Sequence, residues 1–249
     1  MYALRTRFKK EIVSEFWPAT KKGSRKVMIL CGGAPSYPGK NEKLMGFLAK
    51  KGYWVFLPRY RGSWESGGQF LKKSPHLDVL DIINELPKGF KDFWDNKKYK
   101  IKKPEIYIIG SSFGGSAAVL ASRNKRVKKI VAFSPVVDWS KKSKSEPLKW
   151  MGKFMKDAFG QGYRFSKKDW NKLGGGKFYN PESAAAKIDG RKILIFHAKD
   201  DKVVDFRPTK KFSENTGAKL NLLDRGGHLS LSATQSPKFW RVISKFLKN

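Results

Sequence analysis

The chain is poor in the residues that build metal centres and disulfides. It has one cysteine, Cys31, and three histidines, His76, His197 and His228. A lone thiol excludes a disulfide framework and any multi-thiolate centre. Three scattered imidazoles offer no ligand spacing, so neither a metal site nor a cofactor is expected. Long apolar runs are missing too. No stretch approaches the roughly 18 residues that would cross a bilayer, and no membrane span is expected. Met1 to Lys10 carries Arg5, Arg7, Lys9 and Lys10 with no apolar core behind it, so no signal segment is expected either. Acidic residues are scarce, 21 against 53 lysines and arginines, for a net charge of +32. What remains is ample for a packed core: 40% of the 249 residues are hydrophobic and 14% aromatic, which excludes a disordered chain. The expectation is a soluble, cytoplasmic protein with one domain over residues 1–249.

The positive charge invites a nucleic-acid reading, and three features weaken it. Lysine outnumbers arginine 41 to 12, whereas arginine is the residue that reads bases and phosphates with two donors at once. The charge is spread out: residues 139–177, the most visibly basic segment, hold 11 basic and 3 acidic residues, only a mild enrichment. No zinc-finger, ribonucleoprotein or basic-zipper pattern occurs. Binding to nucleic acid or an anionic surface is therefore expected to be non-specific at most, as a low-salt attraction for anions.

Short apolar runs recur along the chain: Val27–Leu30, Tyr53–Leu57, Ile106–Ile109, Ile130–Phe133, Ile193–Phe196 and Leu220–Leu223. All but the last are continuous, which means strands buried on both faces, as in a parallel sheet. Helical patterns lie between them. Leu77, Leu80, Ile83 and Leu86 form one stripe, Phe239, Val242, Ile243, Phe246 and Leu247 another, and Pro208 and Gly217 bracket a third helix. The N-terminal 25 residues, with Phe8, Ile12 and Phe16 among polar neighbours, predict one or two edge strands. Strand–helix alternation gives an α/β class, a three-layer α/β/α sandwich around a mostly parallel sheet.

One connection breaks the rhythm. About 55 residues separate the strand ending near Phe133 from the one starting at Ile193, too long for a plain loop. Its aromatic, helical pattern predicts a cap insertion over a site, approximately residues 139–187. Gly174–Gly176 within it is not followed by Lys-Ser/Thr, so it is no phosphate loop and is expected to be a flexible joint.

The stretch that carries chemistry is Ile109-Gly110-Ser111-Ser112-Phe113-Gly114-Gly115. Gly110-x-Ser112-x-Gly114 follows a buried strand and opens a helix, the pattern of a nucleophile elbow. The turn is so tight that a Cβ two positions either side of the serine would strike the facing chain. A serine hydroxyl also needs a base, and the base an orienting carboxylate. His228, in Arg225-Gly226-Gly227-His228-Leu229, lies past the last predicted strand, on the carboxyl edge where Ser112 emerges and where ligand groups gather in open α/β sheets. His76 begins a helix and is expected at the surface or in the cap. His197 ends a strand at the head of His197-Ala198-Lys199-Asp200-Asp201-Lys202-Val203-Val204. Asp201 is the better orienter there and Asp200 the second choice.

These segments resemble the α/β-hydrolases, most nearly the catalytic domains of the prolyl oligopeptidase and dienelactone hydrolase-like branches. Leu30-Cys31-Gly32-Gly33-Ala34-Pro35 is similar to the His-Gly-Gly oxyanion loop, and Gly52-Tyr53…Pro58-Arg59-Tyr60-Arg61-Gly62 to the strand and turn after it. The elbow and the Asp201 motif complete the likeness, which spans residues 27–230. It implies an α/β-hydrolase fold without a propeller domain, for which 249 residues leave no room. It selects Asp201, four residues after His197, and places an oxyanion hole at the amide of Phe113 with one from Gly33 or Ala34. Cys31 stands where the family has histidine, Ala198 where it has glycine and Asp205 where it has proline. As a strand residue, Cys31 is expected to be a small buried side chain and no nucleophile.

The expected activity is ester hydrolysis through an acyl-enzyme: Ser112 attacks, His228 moves the proton and Asp201 holds the imidazole. The partner is a small-molecule acyl ester. A small peptidase or aminopeptidase acting on a short peptide is the alternative, and a non-catalytic basic binding protein on the same fold the rival.

Overall fold

The computed structural model describes residues 3–39, 41–141 and 147–248. The strands in chain order are β1 (Leu4–Phe8), β2 (Ile12–Trp17), β3 (Lys26–Cys31), β4 (Trp54–Pro58), β5 (Phe90–Lys91), β6 (Lys98–Tyr99), β7 (Glu105–Ser111), β8 (Val127–Phe133), β9 (Ile193–Ala198) and β10 (Lys219–Leu223). The longer helices are α1 (Glu42–Lys50), α2 (His76–Glu85), α3 (Phe113–Ala121), α4 (Leu148–Phe159), α5 (Lys167–Asn171), α6 (Phe206–Thr216) and α7 (Pro237–Lys248). Among the described residues, eight strands form one sheet in the order β1-β2-β4-β3-β7-β8-β9-β10, and β5 and β6 make a separate hairpin.

The continuous apolar runs become the parallel strands β4, β3, β7, β8 and β9, and the interrupted run at Leu220–Leu223 becomes the parallel edge strand β10. Alternation assigns their side chains to two cores. Val27, Ile29 and Cys31 of β3 face one way, onto α2, α3 and Phe212 of α6. Met28 and Leu30 face the other, onto α1 and α7. Both sets are fully buried, which is why the run has no polar member between Val27 and Cys31. β1 takes the sheet edge, while β2 lies inside it, antiparallel to both β1 and β4.

The parallel strands end nearly level. Cys31 pairs with Gly110, Ser111 with Phe133, Phe133 with Phe196 and Ala198 with Leu223. With β4, whose Phe56 pairs with Ile29 of β3, six loops therefore open on one edge of the sheet. The connection between β8 and β9 carries α4, α5 and short 3-10 turns at Gly160–Gly162, Lys172–Gly175, Glu182–Lys187 and Gly190–Lys192. Residues 142–146 of the expected cap segment lie outside the described residues. Gly174 and Gly175 sit in the 3-10 turn that Gly176 closes in the left-handed conformation, and a Cβ on Gly174 would meet Leu148 at 3.4 Å.

His76 corrects the sequence reading. It does begin α2, but it is 8% exposed rather than a surface group. Its Nε2 lies 3.2 Å from Arg123 and its Nδ1 2.7 Å from Ser74. A guanidinium only donates, so Nε2 accepts and the proton sits on Nδ1. Burial, and then the charge of Arg123, lower its pKa from the usual 6.5 to about 4. The unfolded chain therefore takes up a proton that the folded chain refuses. The stability from neutral His76 is complete above pH 6.5 and is lost as pH falls towards 4, by about 3 kcal/mol. Asp78 opposes this, because burial, against its bonds from Arg61, raises its carboxyl to about 6. The His76 contribution is thus read as the difference between wild type and His76→Gln. In urea unfolding that difference should shrink by about 3 kcal/mol from pH 7 to 4. A difference independent of pH would contradict the assignment.

Candidate active site

Ser112 occupies the junction of β7 and α3 with φ 52° and ψ −122°, a conformation that L-residues rarely hold. It is fixed by its amide donating to the Phe133 carbonyl at 2.9 Å and its own carbonyl accepting from Gly115 at 2.9 Å. The flanking glycines are required by contact. A Cβ on Gly110 would stand 2.4 Å from the Gly114 carbonyl oxygen, and one on Gly114 would stand 2.1 Å from that of Cys31. The hydroxyl is thereby presented at the N-terminus of a helix, where the amide dipoles favour negative charge.

Asp201 and His228 approach from the loops after β9 and β10. The His228 Nδ1 lies 2.9 Å from Asp201 Oδ2 and 3.1 Å from Oδ1. A carboxylate only accepts, so Nδ1 carries the proton and Nε2 is left with its lone pair. Asp201 also accepts from the amides of Val203 at 2.9 Å and Val204 at 3.0 Å, and His197 Nε2 lies 3.3 Å from its Oδ2. Burial pushes this carboxyl up. Hydrogen bonds from His197, His228, the Val204 amide and Ser134 outweigh burial and hold it far below the usual carboxylate range. The acid is therefore an anion at any working pH.

Ser112 and His228 line one cavity of about 690 Å³, together with Gly33, Ala34 and Tyr37. Ser112 also lines a second cavity, of about 880 Å³, that lacks His228 and is walled by Phe113, Val136, Val137, Trp139 and Leu148. Gly33 packs against the serine: a Cβ there would sit 3.5 Å from that of Ser112. Tyr60 steadies the same loop through its hydroxyl, which donates to the Gly32 carbonyl at 3.1 Å. Cys31 is wholly buried in β3, and burial, partly offset by a hydrogen bond with Tyr60, pushes its thiol up to about 12. It holds no thiolate to attack with.

The connection between β8 and β9 is stitched to this site. Tyr163 accepts from the Ser36 amide at 2.9 Å, beside the loop of Gly32 and Gly33. Tyr179 donates to the Phe113 carbonyl at 2.6 Å, and Trp139 Nε1 to Ser116 Oγ at 3.2 Å. Met151 of α4 lines both cavities.

Sequence reasoning missed three supports. Asp200, the second choice as orienter, turns away from His228 and accepts from the amides of Gly226 and Gly227 at 2.9 and 2.8 Å, which sets the bend that carries the histidine. His197 is fully buried and buttresses Asp201, while its Nδ1 lies 3.1 Å from Thr209 Oγ1. Buried Ser134 accepts from the Leu229 amide at 3.1 Å and ties the histidine loop to the end of β8. For His197 the only signal was its place at the head of the acid motif; Ser134 gave none. Among the described residues no cluster of three histidine, cysteine or acidic side chains could hold a metal ion. No described helix is long and apolar enough to cross a membrane.

Residues 41–249 match the prolyl oligopeptidase family, Peptidase_S9. No curated protein matches the chain. Among solved structures, the Pyrococcus furiosus esterase Pf2001 aligns at a TM-score of 0.70 and 22% identity, over 100% of this chain and 91% of that one. Acylaminoacyl peptidase of Pyrococcus horikoshii aligns at 0.64 and 17% identity, over 99% of this chain but 41% of that one. A soluble variant of Saccharomyces cerevisiae monoglyceride lipase aligns at 0.65 and 15% identity, covering 100% and 95%. These likenesses establish the α/β-hydrolase fold.

Proposed function

Because the chain belongs to the prolyl oligopeptidase family, a family of hydrolases, we propose that it is a serine hydrolase that cleaves carboxylic esters through an acyl-enzyme. The observation that carries this reading is the pairing of His228 Nδ1 with an ionised Asp201 at 2.9 Å, in a loop whose imidazole shares a cavity with Ser112. The tautomer so fixed leaves Nε2 as the base. Ser112 attacks the acyl carbon as His228 takes its proton. The tetrahedral oxyanion is received by the amide of Phe113 with that of Gly33 or Ala34, where one donor is worth roughly 10²–10³ in turnover. His228 then protonates the departing alcohol, the acyl-enzyme forms, and water reverses the sequence. The esterase and lipase among the similar folds agree with this reading, and so do the apolar walls described above.

Proton delivery assigns the two cavities. The imidazole has to reach the leaving oxygen, so the alcohol occupies the cavity that His228 lines. The acyl group stays on Ser112 and extends into the other, apolar one. Each methylene buried there should raise kcat/KM about fourfold, the equivalent of roughly 0.8 kcal/mol, until the chain fills it. The test is a series of p-nitrophenyl esters from acetate to decanoate, run beside aminoacyl anilides, on wild type and Leu148→Trp. The tryptophan should lower decanoate turnover by at least about 30-fold and leave acetate within about threefold, since only the long chain reaches residue 148. Faster turnover of anilides than of any ester would replace the esterase reading by the peptidase one. An equal loss on acetate and decanoate would overturn the assignment of the cavities.

A further inference from the structure

The hairpin of β5 and β6 contributes Phe90 to the core but lines neither cavity of the site, and its outer surface is unusual. At its tip Phe93 is 46% and Trp94 75% exposed, the latter the most exposed large hydrophobic side chain among the described residues. The tip is held in place. Buried Asp92 accepts from the amides of Arg5, Trp94 and Asp95, and the Phe93 amide donates to the Arg5 carbonyl at 2.9 Å. The aromatic rings are thus displayed by a built turn whose inner side, Phe90, packs on Phe8, Phe16 and Phe56.

The charge around the rings is one-sided. Residues 88–103 hold seven lysines and two aspartates, and one of those aspartates, Asp92, is buried. Exposed Lys91 stands directly opposite exposed Lys98 in the hairpin register, a like-charge pair that weakens a two-stranded ribbon. Arg7 of β1 lies over the Phe93 ring at 5.5 Å. Folding gains nothing from a lysine facing a lysine beside bare aromatics, so the pattern points to a partner that supplies the missing anions and an apolar layer.

We propose that this hairpin docks on an anionic lipid surface, with Trp94 and Phe93 in the interfacial layer and Lys91, Lys97, Lys98 and Lys100 against the headgroups. Aromatic rings with an apolar body and lysines with long stems are the side chains that settle at that boundary. Each basic residue held at such a surface multiplies affinity by about fivefold. A hairpin that projects its rings from the sheet edge suits a plane better than it suits the groove a nucleic-acid strand requires.

Sedimentation with vesicles tests this. Wild type should bind vesicles with a third phosphatidylserine, release in high salt and ignore pure phosphatidylcholine. Lys91→Gln/Lys98→Gln should weaken binding about 25-fold, and Phe93→Ser/Trp94→Ser at least about tenfold. Neither pair lines the Ser112 cavities, so turnover of a soluble ester should stay at its wild-type value, which separates this inference from the catalytic one. Binding unaffected by the aromatic pair, equal binding to neutral vesicles, or hairpin-dependent binding to oligo(dT) in place of vesicles would overturn it.

Discussion

Ser112→Ala should lower ester hydrolysis by about 10⁴–10⁶-fold and abolish labelling by a fluorophosphonate probe. The size of the loss follows from the geometry. The elbow holds one hydroxyl at the helix N-terminus in a backbone conformation of φ 52° that the glycine contacts enforce, and alanine can occupy the same turn without it. The fold and cavities survive while the nucleophile disappears. Cys31 offers no replacement, being buried in β3 with its thiol pushed up to about 12. Serine and base act as a unit, so Ser112→Ala/His228→Ala should be no slower than Ser112→Ala alone. Activity of the single variant above about a tenth of wild type, or continued labelling, would remove the proposed mechanism.

Asp201→Asn should cost about 10⁴-fold in kcat with the fold retained. Four donors surround this side chain besides His228: the amides of Val203 and Val204, the Ser134 hydroxyl, and His197 Nε2, which also lies 2.9 Å from the Val204 carbonyl. The two amides demand an oxygen at Oδ1, so the carboxamide nitrogen turns towards His228. There it donates to Nδ1, which must give up its proton. The proton moves to Nε2, the atom that has to receive the serine proton, and the base is blocked. The same nitrogen faces His197 donor to donor, so a fall in melting temperature should accompany the loss. Steady-state kinetics with a melting curve checks both. A drop below about tenfold would mean that Asp201 does not set the tautomer.

Much of this was legible in the chain, for identifiable reasons. Burial on both faces writes itself as an unbroken apolar run, so strands such as Val27–Cys31 announce themselves. Edge strand β10 alternates only loosely, with Leu220, Asn221 and Leu222 all half-buried, and its signal is correspondingly weak. The elbow is readable because its constraint is steric and local: Gly110 and Gly114 answer to atoms within a few residues or on the adjacent strand. What stayed hidden depends on distant partners. His76 follows a proline among polar neighbours and looks superficial; Arg123, 47 residues away, makes it a buried acceptor. Asp200 and Asp201 are alike in composition, and only the spacing from His197 singled out Asp201, leaving the role of Asp200 unread. One faces the Gly226 and Gly227 amides and the other the imidazole, and the turn after β9 decides which.

The bonds from Tyr163 to Ser36 and from Tyr179 to Phe113 bear on how this enzyme can be re-engineered. They make the long connection a brace for the two backbone segments proposed to receive the oxyanion. A chimera that exchanged it for a relative's segment to alter substrate preference would remove both phenolic hydroxyls. Such a graft has to bring equivalent anchors, or selectivity is gained while the scaffold beneath the reacting carbonyl slackens.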